Sequence, residues 1–297
     1  MPTICRSPSG SNKHWPDHSI LAQNNPRVSL SGSPPPPSHS KKAMSPVPTA
    51  LITAGSAGLG AATAKLFARN GYNVVINYAG DTDRAGAVVR ELESLSPLPA
   101  DQQRFGAVKA DLANKLETPG LVRRAVEVLG GDRLDVVFSN GGWTRLRNIA
   151  DLDENVDEDD WDRCFNMNVK SHLFLMHAAR PYLDEAEGAF ITTASLAGVK
   201  VSGSSLAYAV TKAAQIHLVK GLAIAAGPKV RVNSVSPGLM LTDWGLQFPE
   251  EKQQAARDRT PLKRLATVED VADQVLCFAR SRSVTGANAV IDGGLSI

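Results

Sequence analysis

The 297-residue sequence predicts an α/β fold: one doubly wound domain whose mainly parallel sheet carries helices on both faces. Three observations carry this reading. Short apolar runs alternate with longer helix-compatible stretches from residue 49 onward, and alternating strands and helices build parallel sheets covered on both sides. The first apolar run, Ala50-Leu-Ile-Thr53, passes through a turn, Ala54-Gly55-Ser56-Ala57-Gly58-Leu59-Gly60, into a helical stretch closed by Gly71. The composition, 43% hydrophobic and 21% charged, supplies enough apolar surface for one large core.

Taken in order, the strand candidates are 49–54, 73–78, 105–109, 134–138, 188–193, 229–235 and 288–291. The second, Asn73-Val-Val-Ile-Asn-Tyr78, is the clearest, because its β-branched run suits a buried pleat. Helix candidates fill most gaps: 58–70, 82–95, 116–129, 159–184, 204–226, 249–257 and 268–280. In such a sheet the ligand sits outside the carboxyl ends of the strands, where strand order reverses. The glycine turn, Asn140, Ser195 and Pro237 each follow a strand candidate, so they converge on that edge.

Tyr208 and Lys212 stand four apart in a helix candidate. Residues at this spacing share a helix face. A lysine ammonium there favours the phenolate and is expected to lower the tyrosine pKa, which suits a general acid or base. Alone the spacing is common on solvated helices. The glycine turn between a strand and a helix adds weight, because small residues and a helix N-terminus together accept a pyrophosphate.

With these segments together, residues 47–297 resemble the short-chain dehydrogenase/reductase family. Thr53-Ala54-Gly55-Ser56-Ala57-Gly58-Leu59-Gly60 is similar to the family's Thr-Gly-x-x-x-Gly-x-Gly, with Ala54 in place of the first glycine. Asp111-Leu112 resembles its adenine-side Asp, and Ser139-Asn140-Gly141-Gly142 resembles its Asn-Asn-Ala-Gly turn. Asn168 falls in the segment of the family's catalytic Asn, and Ser195 lies thirteen residues before Tyr208, at the family's Ser spacing. Pro237-Gly238, Thr242 and the closing Asp292-Gly293-Gly294 complete the pattern. The resemblance implies a single Rossmann domain and hydride exchange between a nicotinamide and a carbonyl or alcohol. It implies Tyr208 as acid or base, Ser195 as the group that orients the oxygen, Lys212 as partner of Tyr208 and of the nicotinamide ribose, and Asn168 as holder of a water leading to solvent. Thr53, Gly55, Ser56, Gly58, Leu59, Gly60, Tyr78, Asp111, Leu112, Asn140, Gly141, Pro237, Gly238 and Thr242 would then line the cofactor, with Tyr208 and Lys212.

Cofactor choice turns on the end of the second strand. A carboxylate there would bind the ribose 2′-hydroxyl and repel a 2′-phosphate. Tyr78 occupies the place instead, so NADP(H) is the expected cofactor and NAD(H) the second option. Ser56, loop amides and Arg84 are further candidates for the phosphate. The segment Leu239–Pro261 should form a lid, lined by Leu239, Met240, Leu241, Trp244, Leu246 and Phe248, with Trp143 and Leu196 on the facing wall. Such a lining favours an apolar or cyclic ketone, or a 3-oxoacyl group. The alternative is a non-catalytic regulator or scaffold on the same fold; an intact Ser195, Tyr208, Lys212 and Asn168 argues against it.

Other features bound the reading. No run reaches the ~18 apolar residues of a membrane span. Cys5, Cys164 and Cys277 lack metal or redox spacing, as do His172, His177 and His217, so no metal site is expected and free thiols in the cytoplasm are the plain reading. Residues 1–45 hold ten Ser and eight Pro without apolar periodicity and are expected to be a disordered tail ahead of a domain at 46–297. Mitochondrial targeting is the less favoured role for the tail; a chain start at Met44 is preferred. The tail holds five basic residues and one acid out of 32 and 30, which leaves the body at −2, so nucleic-acid binding is not expected. The acidic run Asp151–Asp160 is expected to be a solvated loop capping the next helix. Apolar residues on 159–184 and 204–226 exceed one stripe and call for a partner; the family resemblance implies that these helices pair between subunits, so a homodimer or homotetramer on a two-fold axis is expected.

Overall fold

The computed structural model describes residues 47–99 and 102–297. The tail expected at 1–45 lies outside the described residues. Seven strands form one parallel sheet: β1 (Thr49–Ile52), β2 (Asn73–Tyr78), β3 (Phe105–Lys109), β4 (Val136–Ser139), β5 (Ala189–Thr193), β6 (Arg231–Pro237) and β7 (Asn288–Ile291). Their spatial order is β3-β2-β1-β4-β5-β6-β7, with every pairing parallel. The order reverses between β1 and β4, which opens a crevice at their carboxyl ends.

Alternation of side chains along buried strands builds two cores. Ala50, Ile52, Val74, Ile76, Val136 and Phe138 point to one face. That face is covered by α1 (Gly58–Arg69), α2 (Thr82–Ser94) and α8 (Val268–Arg280). Leu51, Val75, Val137, Phe190 and Val232 point to the other, covered by α3 (Thr118–Leu129), α5 (Ser171–Ala186) and α6 (Leu206–Ala226). Local signals set several helix starts. Asp81 accepts a hydrogen bond from the Arg84 amide to cap α2, and Thr267 and Asp270 form a reciprocal capping box at α8.

All seven strand candidates and the flanking helices form within a few residues of their expected limits, and α7 (Glu250–Arg259) sits in the lid segment. The stretch 159–184 differs. It is not one helix but α4 (Glu158–Phe165), a π turn at Asn166–Lys170, and α5. The acidic run also differs from a purely solvated loop. Asp157 does cap α4 by accepting from the Asp160 amide. Asp160 itself is buried, and it pairs with Arg145 at 3.0 Å and Arg147 at 2.8 Å.

Candidate active site

The glycine turn is shaped by close packing. A Cβ on Gly60 would lie 2.2 Å from the Ala54 carbonyl oxygen, and Gly58 adopts φ +48°. Gly60 therefore has no room for a side chain, and the left-handed backbone at Gly58 favours glycine. Ala54, where the family pattern has glycine, also takes φ +48°, a strained conformation for a residue with a Cβ. Its amide donates to Asn77 Oδ1 at 3.3 Å, and Asn77 Nδ2 donates to the Ala110 carbonyl at 3.0 Å. Buried Asn77 thus ties the turn to β2 and the end of β3, a role no motif signalled.

Directly after the turn, α1 begins at Ala57 with no side-chain cap and no acid in its first turn. Its first N–H groups and positive dipole end face the crevice without a partner among the described residues. Across from Gly58 stands Thr242 of the lid, 3.3 Å from where a Gly58 Cβ would be. An uncapped helix end behind a bare glycine is a donor set that fits a pyrophosphate. Thr53 lies behind this cradle rather than in it. It is fully buried, donates to the Phe138 carbonyl at 3.3 Å and accepts from the Asn140 amide at 2.9 Å. Leu112 packs beneath Gly141, whose added Cβ would lie 2.6 Å from Leu112 Cδ1. Tyr78 ends β2 with its ring partly exposed, and Asp111 follows β3 with its carboxylate turned onto the Ala113 amide at 2.9 Å.

Ser195, Tyr208 and Lys212 line one cleft of about 500 Å³ together with Asn140, Pro237, Gly238 and Thr242. Ser195 follows β5 in an extended conformation, and its Oγ accepts from the Ala197 amide at 3.1 Å. Ser205 caps α6 by accepting from the Tyr208 amide at 3.2 Å, which sets Tyr208 in the first helical turn. Asn155 accepts from the Leu206 amide at 2.8 Å and fixes the same helix end. Lys212 is 3% exposed, and its Nζ donates to the Thr193 carbonyl at 2.7 Å and to Gln215 Oε1 at 2.9 Å. Nζ lies 5.6 Å from the Tyr208 ring centre. Asn168 sits in the π turn, where such turns often mark function. Its Oδ1 accepts from the Trp143 amide at 2.8 Å, and its Nδ2 donates to the Trp143 carbonyl at 2.9 Å and to Thr211 Oγ1 at 3.0 Å.

The electrostatics correct the expectation of a lowered tyrosine pKa. Burial pushes the Tyr208 phenol up to about 12, against a smaller downward pull from Ser195. Burial likewise pushes Lys212 down to about 7. Desolvation disfavours the charged form of each group. The Tyr208 side chain is only partly buried and opens to the cleft, so solvent there moderates this desolvation. The two acceptors on Lys212 work against its loss of charge.

The lid contributes Leu239, Met240, Trp244 and Phe248 to the cleft, and Leu196 joins from the opposite wall. Leu241 and Leu246 do not line it; both are exposed on the outer side. Trp143 is also absent from the wall, where Thr144 and Leu146 stand instead. The guanidinium of Arg163 lies 4.3 Å from the Trp143 ring centre. Arg84 pairs with Asp243 of the lid at 2.7 Å. Among the described residues no cluster of His, Cys, Asp or Glu is arranged to hold a metal.

The sequence profile of the family described as enoyl-(acyl carrier protein) reductase matches residues 53–296. The chain belongs to the short-chain dehydrogenase/reductase family. This short-chain dehydrogenase/reductase is 34% identical over 256 residues to an L-rhamnose 1-dehydrogenase (NAD(P)(+)) of Sphingomonas, covering 84% of this chain and 96% of that one. It is 32% identical over 253 residues to the 3-oxoacyl-(acyl-carrier-protein) reductase of Thermotoga maritima, covering 83% and 97%. Among solved structures, a short-chain dehydrogenase of Burkholderia cenocepacia in complex with NADP superposes with a TM-score of 0.74 at 33% identity, covering 84% and 98%. A 7α-hydroxysteroid dehydrogenase bound to NADH and 7-oxo glycochenodeoxycholic acid superposes with a TM-score of 0.73 at 29% identity, covering 83% and 93%. The chain is thus an NAD(P)-dependent oxidoreductase acting between carbonyl and alcohol.

Proposed function

We propose that this enzyme is an NADP(H)-preferring reductase of an apolar or cyclic ketone, or of a 3-oxoacyl group, and that Ser195, Tyr208, Lys212 and Asn168 carry the reaction. The observation behind this is the shared cleft: Ser195, Tyr208 and Lys212 face one cavity, with the uncapped end of α1 at one side and apolar lid residues at the other. When bound, the nicotinamide supplies the hydride. The protein orients and protonates. Ser195 donates to the carbonyl oxygen and holds it near Tyr208. Burial keeps the phenol protonated at neutral pH, so Tyr208 is in the form that can donate to the carbonyl oxygen in reduction, with the Lys212 charge drawing its acidity toward the working range. Lys212, one turn along α6, steadies the phenolate as the proton leaves and binds ribose hydroxyls. Both amide donors of Asn168 are taken by Trp143 and Thr211 and its Oδ1 accepts from the Trp143 amide, so Asn168 shapes the π turn, whose loosened carbonyls can hold a water leading to Lys212.

Tyr78 in place of a carboxylate supports NADP(H), as does the NADP complex of the Burkholderia relative. Leu239, Met240, Trp244 and Phe248 favour an apolar substrate over a sugar. Partly exposed Phe165, Val169, Leu173, Phe174 and Ile216, opposite the sheet-facing Leu175 and Val219, support the two-fold homodimer or tetramer. No helix of the described residues is long and apolar enough to cross a membrane, and cytoplasmic residence with free Cys164 and Cys277 belongs to the same reading. Mixing purified protein with NADPH or NADH and a panel of cyclic ketones, 3-oxoacyl thioesters and aldoses tests it. NADPH consumption with the first two groups is expected; consumption of neither cofactor with any substrate refutes the reading.

A further inference from the structure

We propose that Gln215 is a positioning residue for Lys212, a buried clamp that fixes where the ammonium sits and how readily it gives up its proton. The proposal rests on Lys212 serving Tyr208, and it adds a residue outside the family pattern quoted above.

Gln215 lies one turn beyond Lys212 on the same face of α6 and is fully buried. Its Oε1 accepts from Lys212 Nζ at 2.9 Å, and its Nε2 donates to the Thr193 carbonyl at 3.1 Å. That orientation of the amide is forced. An ammonium only donates and a carbonyl only accepts, so Oε1 must face Lys212 and Nε2 must face Thr193. Thr193 is a shared anchor: its carbonyl also takes Lys212 Nζ at 2.7 Å, and its hydroxyl donates to Asn140 Oδ1 at 2.9 Å. Two of the three N–H groups of Lys212 are thereby fixed at the back of the cleft, and one remains for the site.

No carboxylate balances this buried ammonium among the described residues. The titratable groups around it are Tyr208 on α6, Cys164 on α4 and His172 on α5, and none is an anion at neutral pH. The neutral amide of Gln215 and the Thr193 carbonyl are what favour the charged form. Removing one of two acceptors from a buried cation should make it lose its proton more easily, and placing a carboxylate there should do the reverse.

The test compares Gln215→Leu and Gln215→Glu with wild type, using Lys212→Met to assign the signal. Lysine side-chain NMR of the cofactor-free protein gives the Lys212 titration midpoint, and kcat against pH gives the alkaline limb of ketone reduction. The Leu variant should lower both by about one pH unit and the Glu variant should raise both by a similar amount. In Gln215→Leu, kcat at neutral pH should fall roughly tenfold with KM for the ketone unchanged. A Lys212 midpoint within ~0.3 unit of wild type in the folded Glu variant overturns the proposal, and that near-isosteric variant decides alone should the Leu variant fail to fold. Wild-type turnover in Lys212→Met would instead sink the role given to Lys212, while the NMR midpoints would still report on Gln215.

Discussion

The indole of Trp244 meets the ring of Tyr208 edge-on, with centroids 6.3 Å apart and planes inclined by 63°. The lid thereby touches the acid itself, through a contact aromatic pairs favour. Trp244→Ala should widen the cleft above Tyr208 and raise KM for apolar ketones about tenfold, equivalent to ~1.4 kcal/mol, with a smaller change in kcat. Tyr208→Phe keeps the ring and its packing but removes the proton, and should cost roughly 10²–10⁴-fold in kcat while NADPH still binds. Steady-state kinetics and a cofactor titration separate the two effects.

Lys212 gives a pH dependence of stability. Its folded pKa, about 7, lies below the ordinary 10.5, so between these values the unfolded chain holds more protons and stability rises with pH. Below about 7 both states carry the charge and the burial cost is fully present. Lys212→Met should therefore melt higher than wild type at about pH 6, and the gap should narrow toward about pH 10. Thermal unfolding of both proteins across that range checks the sign; a gap that widens with pH contradicts it.

Ala54 holds a left-handed conformation at φ +48°. Ala54→Gly should relieve roughly 1 kcal/mol of strain, raising Tm by about 2–4 °C, without weakening NADPH binding. Calorimetry gives the first number and a cofactor titration the second.

Thr192 Oγ1 is buried without a hydrogen-bond partner among the described residues. Its strand neighbour across the β4–β5 ladder is Ser139, whose hydroxyl lies 2.6 Å from His172 Nδ1. Valine has the shape of threonine without the hydroxyl. Thr192→Val should stabilise the fold by about 1 kcal/mol, as read from denaturant unfolding.

Tyr78→Asp places a carboxylate at the end of β2. If the 2′-phosphate lies there, the variant should favour NADH over NADPH, reversing wild type. Arg84 is tied to Asp243 by an exposed pair worth at most about 1 kcal/mol, so it can turn to a phosphate. Unchanged selectivity in Tyr78→Asp would shift recognition to Arg84 or Ser56.

Much of this molecule was legible in its sequence, and the failures are instructive. The buried strands announced themselves, since Asn73–Tyr78 or Leu134–Phe138 suit only a covered pleat. That Tyr208, Lys212 and Ser195 line one cleft follows from helix spacing and a strand end, although Ser195 stood out only by its family-like spacing from Tyr208. The π turn at Asn166–Lys170 was not, because its residues are all compatible with an α-helix and only packing at Trp143 and Thr211 reveals the wider winding. The direction of the Tyr208 shift is hidden for a similar reason: spacing shows the neighbour, whereas desolvation depends on everything folded around the pair. Leu241 and Leu246 look like lining in a linear reading, but the lid turns them outward. Asn77 and Gln215 carry polar side chains in apolar contexts, a signal available in the sequence, yet each has a partner remote in the chain: Ala54 and Ala110 for Asn77, and Thr193 for Gln215.

The π turn also makes the length of the chain matter here. A five-residue turn accommodates one residue more than the ordinary helix would over the same rise. Deleting any one of residues 166–170 would let the winding revert and rotate α4 against α5 by about 100°. Either Asp160 would then leave Arg145 and Arg147, or Leu175 and Leu183 would leave the sheet, since one rigid rod cannot present both faces at once. Substitutions in this stretch are thus tolerable in ways that a change of a single codon's worth of backbone is not.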